Sequence, residues 1–190
     1  LCTGSHLAAF SQTLASSDAG GSVTALAGAA WTFGIKSMLF MRVIFTDDPV
    51  ESISDLAAGT LLNSVSNWFA ETSYSNTAIN ATITPLLTMP RTRDWYKTND
   101  NYQALLTDAR TTSRNAGFDP ANYILDCVHF KSTFPGCSGR AYVGAKGTWR
   151  KSGTSGGGAG AEFGHNYGRW HANCGTAPGD TVTGPGRQLE

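Results

Sequence analysis

The residues most able to do chemistry in this chain lie close together near its C-terminal end. Glu162 is followed three positions later by His165, and His171 comes six positions further on, with Gly168 between the histidines. In a helix, residues three and four apart share a face, so the carboxylate and the first imidazole would point the same way. Imidazoles bind zinc, and a carboxylate beside the metal takes a proton from metal-bound water. The spacing therefore predicts a zinc site with His165 and His171 as ligands and Glu162 as general base.

The residue before Glu162 limits this site. Ala161 occupies the first position of the pattern H-E-x-x-H-x-x-G-x-x-H, in which three imidazoles hold the metal. Alanine has no donor atom, so we expect zinc affinity to fall by several orders of magnitude, since even loss of an outer-shell partner costs about 10–100-fold. The sequence leaves open whether Ala161 is engineered, natural or misassigned. His129 and His6 are the spare histidines, and His129 is expected to be a packing or surface residue.

The four matched positions of this pattern are a specific indication of a metal site. A chance match of Glu, His, Gly and His at four fixed offsets is expected in about one in a thousand chains of this length or fewer. The opposing interpretation treats His165 and His171 as ordinary polar residues of a glycine-rich loop, which would be preferred for a single histidine. Gly168 favours the metal site, because glycine lets the backbone turn sharply after a helix and brings His171 round.

The pattern and its surroundings resemble the gametolysin-like branch of the metzincin zinc proteases. The resemblance is carried by Phe-Gly-His-Asn-Tyr-Gly at 163–168 and Trp-His-Ala-Asn at 170–173. Upstream, 41–47 resembles the first strand of that group, 72–75 its Ser-Tyr-Gly turn with Ser75 in place of glycine, and 139–144 its edge strand. The resemblance covers about 31–190.

The resemblance implies a secreted zinc metalloendopeptidase that acts on extracellular matrix or cell-wall proteins. The implied fold is α+β, with a metzincin-type mixed twisted sheet, an antiparallel edge strand, two packing helices and an active-site helix. The edge strand would bind an extended protein or peptide substrate, since a free edge offers unpaired N–H and C=O groups. The implied substrate-binding residues are Gly139, Arg140, Ala141, Tyr142, Val143 and Trp170.

The chain departs from the family downstream of the motif. Metzincins have a methionine turn beneath the zinc, after the third histidine, whereas Met38, Met41 and Met89 all lie upstream here. We therefore expect 31–190 to be a metzincin-like catalytic domain that is incomplete at its C-terminal end. Residues 1–30, rich in Ala, Ser, Gly and Thr, are expected to be an N-terminal extension or linker.

Composition excludes some partners. The formal net charge is zero, with 14 basic and 14 acidic residues, so nucleic-acid binding is not expected. The sequence has no apolar run of about 18 residues, so no membrane span is expected.

The cysteine count is compatible with an oxidising compartment. Cys2, Cys127, Cys137 and Cys174 allow two disulfides, with Cys127 and Cys137 as the favoured pair, and buried free thiols are the alternative. Asn80-Ala81-Thr82 is a formal N-glycosylation triplet.

Hydrophobic periodicity predicts the elements that position the site. Strands are expected at 35–46, 79–83, 123–130 and 139–144. Helices are expected after a cap at Ser52 or Ser54, after Asn99 or Asp100, and over 162–167, with 156–160 as a flexible lead-in. The spacing predicts two inner faces: that of the first helix comprises Ile53, Leu56, Ala57, Leu61, Val65, Trp68 and Phe69, and that of the second comprises Tyr102, Leu105, Leu106, Ala109 and Ser113.

Two functional hypotheses remain at this stage. The first is a secreted zinc metalloendopeptidase whose site is depleted of one ligand. The second is a non-catalytic pseudoprotease that serves as a binding or structural module of the extracellular matrix or cell wall. Replacing Ala161 by histidine separates them, because only the first predicts zinc-dependent proteolysis.

Overall fold

The computed structural model describes residues 29–134, 136, 138–151, 156–171, 173–174 and 187–188. The strands are β1 (Gly34–Ile44), β2 (Thr77–Ile83), β3 (Leu87–Thr88), β4 (Leu125–Phe130), β5 (Gly139–Ala141), β6 (Thr148–Lys151), β7 (Asn173–Cys174) and β8 (Arg187–Gln188). The helices are α1 (Ala29–Thr32), α2 (Asp55–Thr72), α3 (Arg93–Thr98), α4 (Tyr102–Asn115) and α5 (Gly156–Asn166), with a 3-10 turn at Pro120–Asn122.

A mixed sheet forms the centre of the fold. Its strand order is β2-β1-β4-β6-β5, and β3 pairs with the end of β1. All neighbours on this path are parallel except β5, which runs antiparallel to β6 at the edge. The fold is therefore mixed α+β at the coarse level expected, and the predicted strand at 139–144 exists as the shorter edge strand β5.

Strand β1 explains why helices cover both faces of the sheet. Its side chains alternate between two apolar clusters, with Met38 and Phe40 in one and Leu39 and Met41 in the other, all fully buried. The first cluster includes residues of α2 and α5, and the second includes residues of α4. Continuous apolar sequence is typical of a parallel strand buried on both sides.

The two long helices begin close to the predicted caps. The Ser54 side chain accepts a hydrogen bond from the Ala57 N–H and starts α2, as predicted. For α4 the cap is Asn101, so the prediction of Asn99 or Asp100 is wrong by one or two residues. The predicted inner stripe of α4 is confirmed, since Tyr102, Leu105, Leu106, Ala109 and Ser113 are all buried.

One member of the predicted inner face of α2 is wrong. Leu56 is 82% exposed, because it lies in the first turn of the helix, where its side chain points away from the sheet.

The prediction of a flexible lead-in at 156–160 is also wrong, because these residues form the first half of α5. Five of the eleven residues of α5 are glycine, and glycine costs about 1 kcal/mol relative to alanine in a helix. Packing compensates for this cost: a methyl group at Gly160 would lie 3.2 Å from the Trp68 ring, so α2 contacts the α5 backbone closely. A side chain there would hold the two helices apart.

Strand β6 and helix α3 were not expected from the sequence. The segment Thr148–Lys151 is short and three of its four residues are polar or charged, yet all four are buried, because β6 lies between β4 and β5. The expected extension at 1–30 lies almost wholly outside the described residues.

The cysteine prediction is resolved at one position. Cys127 is a free, fully buried thiol in β4, so the alternative of a buried free thiol holds there and its pairing with Cys137 is wrong. Cys137 and Cys2 lie outside the described residues.

Candidate functional site

Helix α5 carries Glu162 directly against the edge strand. A methyl group built at Gly139 would lie 2.6 Å from Glu162 Oε1 and 2.7 Å from its Cδ, so the carboxylate occupies the space that a side chain at residue 139 would need. The backbone N–H of Gly144 donates to the carbonyl of His165 over 2.8 Å, which joins the end of α5 to the segment after β5. The general-base candidate and the edge strand therefore form one unit.

Glu162 is half-buried, and its burial and its charged neighbours shift its pKa in opposite directions. Desolvation raises the pKa of the Glu162 carboxyl above its usual range, while His165 and the Arg150 guanidinium oppose that rise. Arg150 lies opposite Gly139 in the β5–β6 register and therefore on the same side of the sheet as Glu162. A raised pKa suits a carboxylate that must accept a proton near neutral pH.

The two histidines lie side by side. The ring centroids of His165 and His171 are 4.7 Å apart, and the ring planes are tilted by 50°. His165 Nδ1 lies 2.6 Å from the carbonyl oxygen of Arg169. Because a carbonyl only accepts, Nδ1 must carry the proton, and this leaves the Nε2 lone pair available, which is the tautomer that binds metals.

A sharp turn brings the second histidine to the first. Gly168 has a φ of +92°, a conformation that side chains disfavour. Its N–H donates to the His165 carbonyl over 2.8 Å, and the Arg169 N–H donates to the Gly164 carbonyl over 3.0 Å. The predicted role of Gly168 as the residue that ends the helix is confirmed.

Asn166 anchors this end of the helix, and sequence analysis did not single it out. It is fully buried. Its Oδ1 accepts from Thr148 Oγ1 over 2.6 Å, and its Nδ2 donates to the carbonyls of Tyr142, Ala145 and Gly147 over 3.1, 2.7 and 3.2 Å. The metal-binding motif sets no residue type at position 166. The sequence therefore offered only a polar residue next to His165 on a helix whose end needs an anchor.

The residues present fit a zinc site only in part. His165 and His171 supply two imidazoles, and Ala161 is exposed at the position where the pattern needs the third. No group of three or more metal-binding side chains occurs among the described residues. Tetrahedral catalytic zinc takes three protein ligands and one water, so two imidazoles would leave two positions to water.

His129 does not supply the missing ligand. Its side chain is fully buried, Nδ1 lies 2.8 Å from Ser52 Oγ, and the ring packs on Phe40 with centroids 5.4 Å apart. The prediction of a packing residue is confirmed. His6 lies outside the described residues.

The expected substrate-binding residues lie along one edge. Gly139, Arg140 and Ala141 form β5, and within the described ranges no strand pairs with its outer side. The Arg140 guanidinium lies 4.0 Å from the centre of the Tyr102 ring, so it is held against the protein surface.

The remaining expected contacts follow β5 or the motif helix. Tyr142 donates from its hydroxyl to Gln103 Oε1 over 2.6 Å, and Val143 is half-buried in the following turn. Trp170 is 59% exposed, between the turn at Gly168 and His171. A side chain at 170 is thus open to solvent beside the histidine pair.

Comparisons with known proteins add little. No family model matches the chain, and no curated protein matches it. One similar solved chain comes from a study described as "Structure of a chaperone-substrate complex", with a TM-score of 0.46 and 17% identity over 80% of this chain. The match covers 30% of that protein, so this chain spans less than a third of its length, and a likeness at this level supports no argument about function.

Proposed function

We propose that this chain carries a zinc metalloendopeptidase domain of the gametolysin-like metzincin type, with a metal site that lacks one ligand. The observation that carries the proposal is the contact between the Glu162 carboxylate and Gly139 of the antiparallel edge strand. The proposed general base thus touches the strand that would bind a peptide, and the proposed metal ligands His165 and His171 lie on the same helix and the turn after it, with ring centroids 4.7 Å apart. The opposing interpretation, in which the histidines are ordinary polar residues of a glycine-rich loop, does not account for this combination.

The antiparallel edge strand of the mixed sheet supports this proposal. Four of the strands on the main path are parallel, and β5 alone is antiparallel at the edge next to the helix of Glu162. An edge strand can add an extended peptide through backbone hydrogen bonds. Because α5 packs against β5, a peptide paired with the outer side of β5 would lie next to Glu162.

The chain's own residues would divide the chemistry among them. Bound zinc would supply a Lewis acid and acidify a water molecule. Glu162 would take a proton from that water at its carboxylate and later give it to the leaving amine. His165 and His171 would hold the metal, with the Arg169 carbonyl fixing the tautomer of His165, and β5 would hold the peptide backbone.

The setting we propose is extracellular, with matrix or cell-wall proteins as substrates. This part of the proposal rests on the resemblance of the motif region to gametolysin-like enzymes. None of the helices in the described ranges is long and apolar enough to cross a membrane.

A non-catalytic binding module is the second candidate, and Ala161 favours it. The exposed methyl group of Ala161 leaves the metal two imidazoles instead of three. Such a protein would keep the edge strand and bind peptide without cutting it.

The test is to replace Ala161 by histidine in the longest natural chain that contains these residues. We expect zinc content to rise to about one atom per chain by elemental analysis, together with cleavage of unstructured protein that a chelator abolishes. Ala161→Leu is the matched control, because it adds bulk at the same exposed position without a donor atom. Stoichiometric zinc in the histidine variant with no cleavage of any peptide would overturn the peptidase and leave the binding module.

A further inference from the structure

Strand β2 forms the other edge of the sheet and lacks the usual protection. It is the terminal strand of the path, and in the part of the chain that the structure describes nothing pairs with its outer side. Its sequence, Thr-Ala-Ile-Asn-Ala-Thr-Ile, contains no charged residue and no proline. Natural edge strands are normally kept from pairing with other molecules by charges, prolines or bulges, so β2 needs another form of cover.

The two faces of β2 differ. Ile79, Ala81 and Ile83 belong to the cluster that packs against α2. Because strand side chains alternate, Asn80 and Thr82 point together to the opposite face. Asn80 is exposed and Thr82 is half-exposed there.

The surroundings of Asn80 on this face are open and include one exposed apolar side chain. Asn80 pairs with Ser37 of β1, and the preceding pair on the same face of the sheet is Ala78 with Ile35. Ile35 is 70% exposed. The Asn80 amide therefore projects into solvent beside an uncovered isoleucine at the unprotected edge of the sheet.

We propose that Asn80 is an N-glycosylation site and that its oligosaccharide covers the outer edge of β2. Asn80-Ala81-Thr82 is the only Asn-x-Ser/Thr triplet with a non-proline middle residue in the sequence. A glycan is bulky, solvated and unable to join a β-ladder, so it supplies the protection that the strand sequence lacks. It would also lie over Ile35.

The modification is a group transfer from a lipid-linked diphosphate oligosaccharide. Asn80 Nδ2 loses one proton and forms a bond to the anomeric carbon of the first sugar. The bond from that carbon to the diphosphate oxygen breaks, and the diphosphate leaves with the electron pair. The inference is independent of the zinc chemistry, because it uses the opposite edge of the sheet from Glu162.

The experiment is to express the chain behind a cleavable signal peptide in a eukaryotic host. Both the secreted and the cell-retained protein are analysed by mass spectrometry, before and after an amidase that converts glycosylated asparagine to aspartate. We expect sugar mass on the unchanged chain and on Thr82→Ser, which keeps the triplet, and none on Thr82→Ala or Asn80→Gln. Protein that enters the secretory pathway and carries no glycan in either fraction would overturn the site.

The covering role has its own measurement. We expect the unglycosylated variants Thr82→Ala and Asn80→Gln, which add no charge to β2, to self-associate by sedimentation velocity, while the glycosylated chain and Thr82→Ser stay monomeric at the same concentration. Equal sedimentation of glycosylated and bare protein would overturn the covering role even with the sugar present.

Discussion

The Glu162 carboxylate lies where the side chain of residue 139 would be in any residue other than glycine. A methyl group on Gly139 would approach Oε1 to 2.6 Å and Cγ to 2.8 Å, distances at which one group must move. Gly139 is buried in β5 and lies opposite Arg150. The edge strand thus fixes the carboxylate from one side, and the glycine is required by contact and not by backbone conformation.

Gly139→Ala is therefore expected to destabilise the domain. Overpacking a buried position costs about 1–3 kcal/mol, and the side chain that must yield is Glu162. Gly59→Ala is the matched control, because its added methyl group would meet only Ile83 Cδ1 at 4.0 Å and alanine favours the helix. Urea unfolding should show a loss in the first variant and no loss in the second. Equal stabilities would mean that the carboxylate moves away freely and is not fixed by β5.

Glu162→Gln tests the assigned role in chemistry, in chains that carry Ala161→His. The amide cannot accept a proton at neutral pH, and loss of a general base costs about 10²–10⁴-fold in turnover. Zinc content should remain unchanged, since the imidazoles are untouched. A variant that keeps its turnover would remove Glu162 from the mechanism, and one that loses its zinc would show that the carboxylate supports the metal site instead.

Asn166→Ala is expected to loosen the end of α5. The change leaves the buried Thr148 Oγ1 without its partner and removes the part-buried bond to the carbonyl of Ala145, and an unsatisfied buried group costs about 1–3 kcal/mol. We expect a loss of about 3 kcal/mol in the free energy of unfolding, measured by denaturant titration. Asn63→Ala, an exposed asparagine of α2, should change stability by about 0.5 kcal/mol or less. Similar values for the two variants would contradict the anchoring role.

Asp48 predicts a pH dependence of stability. The hydrogen bond from Lys131, at 2.9 Å, lowers the pKa of the Asp48 carboxyl below its usual range, and Arg93 acts in the same direction. A pKa that is lower in the folded state stabilises the fold above the unfolded value, about 3.9, and this contribution disappears as pH falls through the folded value.

Asp48→Asn should therefore lower stability at neutral pH and match the unchanged chain at the acid end of the titration. Lys131→Met should reduce the same pH dependence while leaving the carboxylate in place. A constant difference between Asp48→Asn and the unchanged chain at all pH values would assign the effect to packing.

Sequence patterns predicted the buried elements better than the edges. The continuous apolar run of β1 and the stripe of α4 determine their own structure, because a core must cover them. Strand β6 was missed because Thr148–Lys151 is short and Trp149 is its one hydrophobic residue, and its burial follows from neighbouring strands in the sheet. The first half of α5 was missed because glycine indicates flexibility locally, whereas the contact between Gly160 and Trp68 decides the outcome.

The site itself was predicted from four fixed offsets, and the residues that support it were not. Glu162, His165 and Gly168 can be recognised from their spacing, because the proposed metal-site chemistry requires particular residue types at particular positions. Asn166 and Arg150 act through folded geometry, one by hydrogen bonds to three carbonyls and the other by a cross-strand register. Asn166 lies in the stretch 163–168 that carries the family resemblance, but neither its spacing nor that of Arg150 indicates a supporting role.

The glycines of α5 have a consequence for the order of events during synthesis. Five glycines in eleven residues would leave this segment without helical structure in an isolated peptide, because short helices are marginal even with good helix formers. Helix α5 exists only once α2 and the sheet are assembled around it. Glu162 and His165 are therefore expected to come into alignment last, so the proposed site would be assembled only after the core is complete.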